Sequence, residues 1–241
     1  MNRPDKPTRV IAYPHALNII HAADHSIWIG RRLNRFTTIR LHSVSDRYQQ
    51  FRQRYLHSVS DWLSEKPRNI PPTYVWAFEK PPGRRVHLHL AFHLPVELVD
   101  EFTYHQRAWV TSAGVKWGED GLILSKWVQP SKLIRSVFPG LQPWELPLHV
   151  QSGALRNLII DYFLKGGDAR TCREFEIDYR TQGTIMGKRV GFSENLGPTA
   201  RARIKTVHEF RVRDRIVRRR RPHLLLDYPA LTDDYVDEVI E

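Results

Sequence analysis

The stretch from Arg84 to Pro95 carries two histidines separated by one apolar residue, a spacing that can bind a metal ion. Apolar and polar residues alternate along it, and side chains of a β-strand point to opposite faces with a period of two. The alternation places His87 and His89 on one face and Leu88 on the other, which we expect to face the core. Neutral imidazoles about 6.5–7 Å apart on one strand face can converge on a divalent cation. A half-exposed polar strand face is the simpler alternative.

A second predicted strand, residues 73–79, precedes the histidine strand and ends at Glu79. Residues 80–84 contain two prolines and a glycine, which is typical of a turn, so the two strands are expected to form an antiparallel hairpin. Across so short a connection the Glu79 carboxylate can lie near the imidazoles. An ordinary carboxylate at a strand end would give the same pattern.

The remaining periodicity predicts the elements that hold this hairpin. Helical spacing runs from Leu17 to Leu33, and a second helix, capped by Ser43 or Ser45, runs through Trp62. Strands are predicted at residues 35–41 and 122–128, and a further helix begins at Pro95.

A later helix is predicted from Gly153 to Lys165, with Ser152 as its N-cap, after an irregular insertion at residues 129–151 that contains four prolines. Tyr162 lies on the apolar stripe of this helix, so core packing is one interpretation of it. Lys165 lies one turn later on the same face, although a helix C-terminus favours a cation in any case.

Three segments, taken in order, resemble the HUH endonucleases, and specifically the single-tyrosine rolling-circle replication initiators of plasmids and phages. They are the strand from Phe36 to Leu41, the triplet His87-Leu88-His89, and the pair Tyr162 and Lys165 in a Y-x-x-K arrangement. The resemblance covers about residues 33–170, and the strand ending at Glu79 resembles the one that supplies a carboxylate in many members. Position 166, where a second tyrosine would fall, is glycine.

The resemblance implies an α+β fold, with an antiparallel sheet of about five strands flanked by helices and related to the RNA-recognition motif. It implies that His87, His89 and Glu79 hold Mg²⁺ or Mn²⁺ against a scissile phosphate. Tyr162 would attack that phosphate, become linked to its 5′ side and release a 3′-hydroxyl, with Lys165 holding the phosphate or assisting the tyrosine. The implied substrate is single-stranded or hairpin DNA at a replication origin.

The chemistry of the residues agrees with this implication. A divalent cation neutralises the charge that builds on the oxygens of a phosphodiester under attack. The free tyrosine hydroxyl has a pKa of about 10, so it needs a nearby positive charge to attack at neutral pH. No Gly-x-x-x-x-Gly-Lys-Ser/Thr motif occurs, so a host helicase is the expected partner for opening the strands.

The charge of the chain favours a polyanionic partner, because its 241 residues carry a formal net charge of +11. We expect the DNA contacts to come from the first strand, from the residues before the histidines and from the C-terminal segment. The expected DNA-binding residues are Thr38, Arg40, Arg84, Arg85, Arg201 and Arg203.

We expect a nuclease domain over residues 1–185, with a flexible arm at residues 1–14, followed by a basic helical segment with an acidic tail over residues 186–241. The single cysteine, Cys172, excludes a disulfide within the chain and a cysteine-rich zinc site. No signal-like or membrane-spanning stretch is recognisable, so a cytoplasmic bacterial protein without membrane contact is expected.

Two other classes of function stay open from the sequence. Two histidines and a glutamate also suit a ferrous oxygenase or a zinc hydrolase, in which Tyr162 would have no role. The chain can also be a non-catalytic basic DNA- or RNA-binding module, although sheets that bind RNA usually expose aromatic residues. We expect the histidine face of the strand to lie outside the core, so that loss of His89 leaves the fold intact.

Overall fold

A five-stranded antiparallel sheet forms the centre of the computed structural model, which describes residues 6–41, 47–67, 69–116 and 123–203. Its strands are β2 (Arg35–Arg40), β3 (Tyr74–Glu79), β4 (His87–Phe92), β5 (Ile123–Trp127) and β7 (Val190–Phe192). They are arranged in the order β5-β2-β4-β3-β7, so the histidine strand is central. Two short strands, β1 (Pro7–Thr8) and β6 (Ile185–Met186), pair with each other.

Seven α-helices lie in the described ranges, joined by shorter helical turns. They are α1 (Tyr13–Trp28), α2 (Tyr48–Ser64), α3 (Val99–Ser112), α4 (Lys132–Val137), α5 (Leu148–Leu158), α6 (Ala169–Glu174) and α7 (Pro198–Arg203). A π-helical turn, Ile159–Phe163, continues α5. In the part of the chain that the structure describes, no helix has the length and apolar character needed to cross a bilayer.

Each face of the sheet packs against its own hydrophobic core. On one face, Ile39, Phe78 and Leu88 pack with buried side chains of α2 and α3. On the other face, Phe36, Ala77 and Ala91 pack with α1, α5 and the π-helical turn. Burial of each large apolar side chain contributes about 1.5–3 kcal/mol, so both layers hold the central strand in place.

The predicted fold class is confirmed at this level, as an α+β protein with a five-stranded antiparallel sheet flanked by helices. The hairpin of β3 and β4 has the expected antiparallel pairing, with Glu79 opposite His87 and Ala77 opposite His89. The predicted helix through Trp62 is present as α2, which begins at Tyr48. Its proposed caps, Ser43 and Ser45, lie outside the described residues.

The described part of the predicted flexible arm, residues 6–14, makes contacts with distant parts of the chain. Strand β1 pairs with β6, and Ile11 is buried, with its N–H donating to the carbonyl oxygen of Gly166 at 2.7 Å. Helix α1 begins at Tyr13 rather than near Leu17, with a proline in its first turn. The charged and proline-rich composition concealed these long-range contacts, because they leave no local pattern.

Residues on both sides of the predicted domain boundary, between residues 185 and 186, pack together in the structure. Strand β7 pairs with β3 at the edge of the main sheet, and Leu196 is fully buried in the core shared with α1. Residues 186–203 therefore belong to the same packed unit and form short strands and helical turns rather than one basic helix. Residues 204–241, with the predicted acidic tail, lie outside the described part.

The segment at residues 129–151, predicted as irregular, contains α4 and the start of α5. The Ser131 side chain caps α4 by accepting from the N–H of Ile134 at 3.4 Å. Helix α5 begins after Pro147, so Ser152 lies inside the helix and does not cap it. Proline at a helix start is compatible with its missing N–H, a role that the count of prolines alone could not reveal.

Candidate metal and tyrosine site

Glu79, His87 and His89 project from one face of the β3–β4 hairpin and form a compact cluster. Directly opposed residues of an antiparallel pair share a face, and Glu79 lies opposite His87 while His89 follows two positions later. One ligand atom from each of the three residues lies within 4.8 Å of the others. The Glu79 Oε2 atom accepts a hydrogen bond from His89 Nε2 at 2.7 Å. The structure thus brings together the three residues that the sequence predicted as metal ligands.

Thr38 orients the buried histidine of this cluster. It lies opposite His89 on β2, and its hydroxyl is 2.9 Å from His89 Nδ1. A hydroxyl can donate or accept, so Thr38 can support either neutral tautomer of the ring. The sequence predicted a DNA contact for Thr38, whereas the contact observed in the structure is with His89.

The surroundings of Glu79 favour its ionised form. Burial by itself raises the pKa of this carboxyl group. The hydrogen bond from His89 and the positive charges of His89, Lys165 and His87 together lower the pKa by more than burial raises it. The net result is a pKa below the ordinary glutamate value. Lys165 contributes directly, with its Nζ atom 3.8 Å from Glu79 Oε1.

Tyr162 lies beside this cluster, in the π-helical turn that continues α5. Its ring centroid is 6.2 Å from that of His89 and 5.1 Å from that of Phe36. The Lys165 Nζ atom lies 4.5 Å from the Tyr162 ring centroid, which is within the range of a cation–π contact. The half-buried Tyr162 therefore contacts both the cluster and the lysine that pairs with Glu79.

The backbone around Tyr162 differs from the regular helix that the sequence predicts. The N–H of Leu164 donates to the carbonyl oxygen of Ile159 at 3.2 Å, the i to i+5 spacing of a π-turn. The turn buries Phe163 in the core while Tyr162 stays partly accessible. Such turns often occur at functional sites, and apolar periodicity does not distinguish them from an α-helix.

The donor set of the cluster fits a divalent cation. Two imidazole nitrogens and one carboxylate suit Mn²⁺, Fe²⁺ or Zn²⁺, whereas Mg²⁺ prefers oxygen ligands and retains several waters. His87 is half-buried at the start of β4, and His89 is only 3% exposed. A cation would thus be held between a buried and a more accessible imidazole.

Sequence reasoning missed two basic residues near the cluster. Arg189 is 3% exposed and donates to the carbonyl oxygens of Thr8 at 3.0 Å and Phe78 at 3.5 Å, which ties β1 to the end of β3. Burial lowers the pKa of Arg189 to about 10, although Tyr48 and Glu79 oppose that shift. Lys126 on β5 is exposed, and its Nζ atom lies 5.9 Å from the Tyr162 ring centroid.

These two residues gave little sequence signal. Strand β7, which Arg189 precedes, has only three residues and a central glycine, too short for a periodicity. Lys126 does lie in a predicted strand, so its face could have been assigned. That this face lies beside β2 and Tyr162 became known only from the strand order in the structure.

The other predicted DNA-binding residues are spread over the surface. Arg40 is exposed and lies opposite His87 on β2, next to the cluster. Arg84 and Arg85 are exposed in the β3–β4 connection. The guanidinium of Arg201 donates to the side-chain and backbone oxygens of Asn18, at 2.7 and 3.3 Å, and so ties α7 to α1. Arg203 is exposed at the end of α7.

No protein-family model matches this chain, and comparisons with curated proteins and with solved structures find no match either. Function must therefore be inferred from the geometry and the chemistry of the described side chains.

Proposed function

We propose that the protein is a metal-dependent endonuclease that nicks single-stranded DNA with Tyr162 as its nucleophile, as the single-tyrosine HUH replication initiators do. The observation that carries the proposal is the convergence of Tyr162 and Lys165 with the cluster of Glu79, His87 and His89. These residues come from two distant parts of the chain. Core packing of the tyrosine alone would not require a lysine and three ligand-type side chains around it.

Each residue has a distinct role in this proposal. A divalent cation held by Glu79, His87 and His89 would neutralise the charge that develops on the scissile phosphate. Lys165, next to the ring of Tyr162, stabilises the phenolate as the hydroxyl proton leaves. Thr38 holds the ring of His89 in the orientation that ligation requires.

The proposed step exchanges one phosphoester bond for another. The bond between the Tyr162 hydroxyl oxygen and phosphorus forms as the bond between phosphorus and the 3′-oxygen breaks. The tyrosine hydroxyl loses its proton, and the departing 3′-oxygen takes one up. No water is consumed, so the covalent link keeps the energy of the phosphodiester for later rejoining.

The substrate follows from charge and from the single tyrosine. The net charge of +11 favours a polyanion, and glycine at position 166 leaves one nucleophile at this site. We infer that the substrate is single-stranded or hairpin DNA at a replication origin and that the cofactor is Mg²⁺ or Mn²⁺, of which Mn²⁺ is the better match to two imidazoles. A host helicase would open the duplex, because the sequence contains no P-loop.

A denaturing gel tests the proposal. The protein is mixed with Mn²⁺ and labelled single-stranded DNA from the origin region of its own replicon, beside Tyr162→Phe and Tyr104→Phe. Tyr104 is 80% exposed on α3, on the other side of the sheet, and serves as the matched control. We expect a metal-dependent covalent adduct from the wild type and from Tyr104→Phe but not from Tyr162→Phe, which still binds DNA. An adduct from Tyr162→Phe would exclude this nucleophile.

Other outcomes of the same experiment identify the two remaining classes. A native gel of the same samples keeps non-covalent complexes intact, and DNA binding on that gel without any covalent product in the wild type indicates a non-catalytic binding module. A reaction that requires Fe²⁺ or Zn²⁺ and does not depend on Tyr162 indicates an oxygenase or a hydrolase, because the donor set of the cluster also suits those metals.

A further inference from the structure

We propose that Lys126, Leu124 and Arg40 form a second DNA-binding surface, the β5 shelf, which grips the phosphates beside the nick. This inference rests on the proposed nicking function and extends it to residues of the edge strand β5. The sequence had indicated Arg40 alone of these three residues.

The strand register places the three side chains on one face of the sheet. Lys126 lies opposite Phe36, and Leu124 lies opposite Thr38. Arg40 follows two positions after Thr38 on β2 and lies opposite His87. Since opposed and alternate residues share a face, the β5 shelf adjoins the metal cluster on the cluster's own side of the sheet.

Lys126 has a charge that the described protein does not neutralise. Its Nζ atom lies 5.9 Å from the ring centroid of Tyr162 and 5.8 Å from that of Phe36. Among the described residues, no carboxylate lies within salt-bridge distance of it, whereas Lys165 is paired with Glu79. An exposed ammonium group next to the nucleophile is therefore available to an external anion such as a phosphate.

Leu124 gives the β5 shelf an apolar centre. Leu124 is 55% exposed, and its neighbours on this face of the sheet, Thr38 and Lys126, are polar. Apolar surface flanked by two cations matches a nucleic acid strand, in which sugars and bases alternate with phosphates. A small inorganic anion would gain nothing from the leucine.

The spacing of the two cations indicates more than one phosphate. The positions of Phe36 and Arg40 on β2 are separated by four residues, or about 13 Å at the rise of a strand. Lys126 pairs with the first position, and Arg40 occupies the second. The two cations therefore contact different phosphates of one extended strand, one on each side of Leu124.

Salt-dependent binding tests the charge of Lys126. The anisotropy of dye-labelled, mixed-sequence single-stranded DNA is measured with the full chain in EDTA, so that no cutting takes place. Loss of one phosphate contact makes the slope of log K against log salt shallower by about 0.7. We expect this change for Lys126→Gln and recovery for Lys126→Arg. Arg54→Gln removes an equal charge from an exposed position of α2, behind the sheet, and should leave the slope unchanged.

A second measurement follows adduct formation with Mn²⁺ as the DNA concentration is raised. Because the phosphate contact exists before and during the reaction, Lys126→Gln should raise the half-saturating DNA concentration by about five- to tenfold. Leu124→Ala should weaken DNA binding by a factor that does not vary with salt. Leu133→Ala, at a 65% exposed site on α4, should leave DNA binding unchanged.

The outcomes separate this inference from the proposed function. A wild-type slope for Lys126→Gln, or an equal change for Arg54→Gln, overturns the β5 shelf even when the wild type forms the covalent adduct. A shallower slope for Lys126→Gln alone, without any adduct from the wild type, upholds the β5 shelf and overturns the nicking function.

Discussion

At the scale of single residues, the cluster consists of side chains that fix one another. His89 is hydrogen-bonded at both ring nitrogens, to Glu79 and to Thr38, while Glu79 also pairs with Lys165. Loss of a hydrogen bond that orients a metal-ligating side chain typically lowers metal affinity by about 10–100-fold. Each partner of His89 can therefore be tested by its effect on metal binding, without any assumption about the reaction.

Replacement of Thr38 by valine should weaken metal binding while the fold is retained. Valine matches the shape of threonine but cannot form the hydrogen bond with His89 Nδ1, so Mn²⁺ affinity should fall by about 10–100-fold. Thr38→Ser keeps the hydroxyl and should stay close to wild type. Titration of Mn²⁺ followed by electron paramagnetic resonance measures both variants. Equal affinities for valine and serine would show that Thr38 does not orient the ring.

The two histidines should differ in their effect on stability. The sequence led us to expect both outside the core, but His89 is 3% exposed and packs against Phe36 and Phe163. His89→Ala should lower the free energy of unfolding by about 1–3 kcal/mol, because it leaves a cavity, and His87→Ala by less than about 1 kcal/mol. Urea denaturation in EDTA measures the difference. Both variants should lose Mn²⁺ binding, and equal stabilities would contradict the burial of His89.

The ionisation of Glu79 predicts how stability depends on pH. Its pKa is lower in the folded protein than the ordinary value of 4.5, so the ionised group stabilises the fold above that value. This contribution disappears as the pH falls below 4.5 and the carboxylate is protonated. The charged groups that face it are His87 and His89 on β4, Lys165 after the π-helical turn, and Arg189 before β7.

Urea unfolding of the wild type and of Glu79→Gln, both in EDTA, measures this effect. The wild type should be the more stable protein near neutral pH, and its advantage should shrink as the pH falls below 4.5. An advantage that stays constant into the acid range would show that Glu79 is not ionised preferentially in the folded state.

At the scale of elements, the edge strand β7 depends on a close approach between Gly191 and Trp76. A Cβ atom at position 191 would lie 2.6 Å from the Trp76 ring, closer than any real contact. Gly191→Ala should therefore destabilise the protein by about 1–3 kcal/mol, because neither the strand nor the buried indole can move freely. Gly153→Ala, inside α5 with no atom within 4 Å of the added Cβ, is the matched control and should be neutral or stabilising. Thermal unfolding distinguishes them, and equal melting temperatures would mean that β7 is not docked on β3.

The elements that could be predicted from sequence are those with a local pattern. Alternation revealed β4 and its two faces, and the turn residues before Arg84 revealed the hairpin that brings Glu79 to His87. The π-helical turn and the short strands β1 and β7 have no such pattern, since their positions are set by contacts with distant residues. The clustering of Glu79, His87 and His89 was therefore predictable, whereas the orientation of Tyr162, the hydrogen bond to Thr38 and the proximity of Lys126 were not.

At the scale of the whole molecule, the positive charge lies in the part of the chain that folds around the sheet. Residues 204–241 contain eight Lys and Arg and eight Asp and Glu, so they contribute no net charge. The formal charge of +11 therefore lies within residues 1–203. The attraction of single-stranded DNA that we propose is then expected of residues 1–203, because it depends on net charge and on its distribution.

A chain that ends after Arg203 should keep its fold and the nicking activity that we propose. It retains β7 and the core contacts of Leu196, together with Tyr162 and the cluster of Glu79, His87 and His89. Its net charge is unchanged, so binding of mixed-sequence single strands should stay within about threefold of the full chain at equal salt. It loses the run Arg218 to Arg221, so binding of hairpin DNA, where a basic run can contact the duplex phosphates, should weaken further.

A chain that ends after Gly187 is the informative comparison, because it removes Arg189 and β7. It should melt at a lower temperature than the chain that ends after Arg203 and should form no covalent adduct, since Arg189 ties the end of β3, next to Glu79, to β1. Equal melting temperatures would place the domain boundary near residue 185 after all. Loss of single-strand binding in the chain that ends after Arg203 would instead show that the C-terminal segment provides the main DNA contact despite its neutral charge.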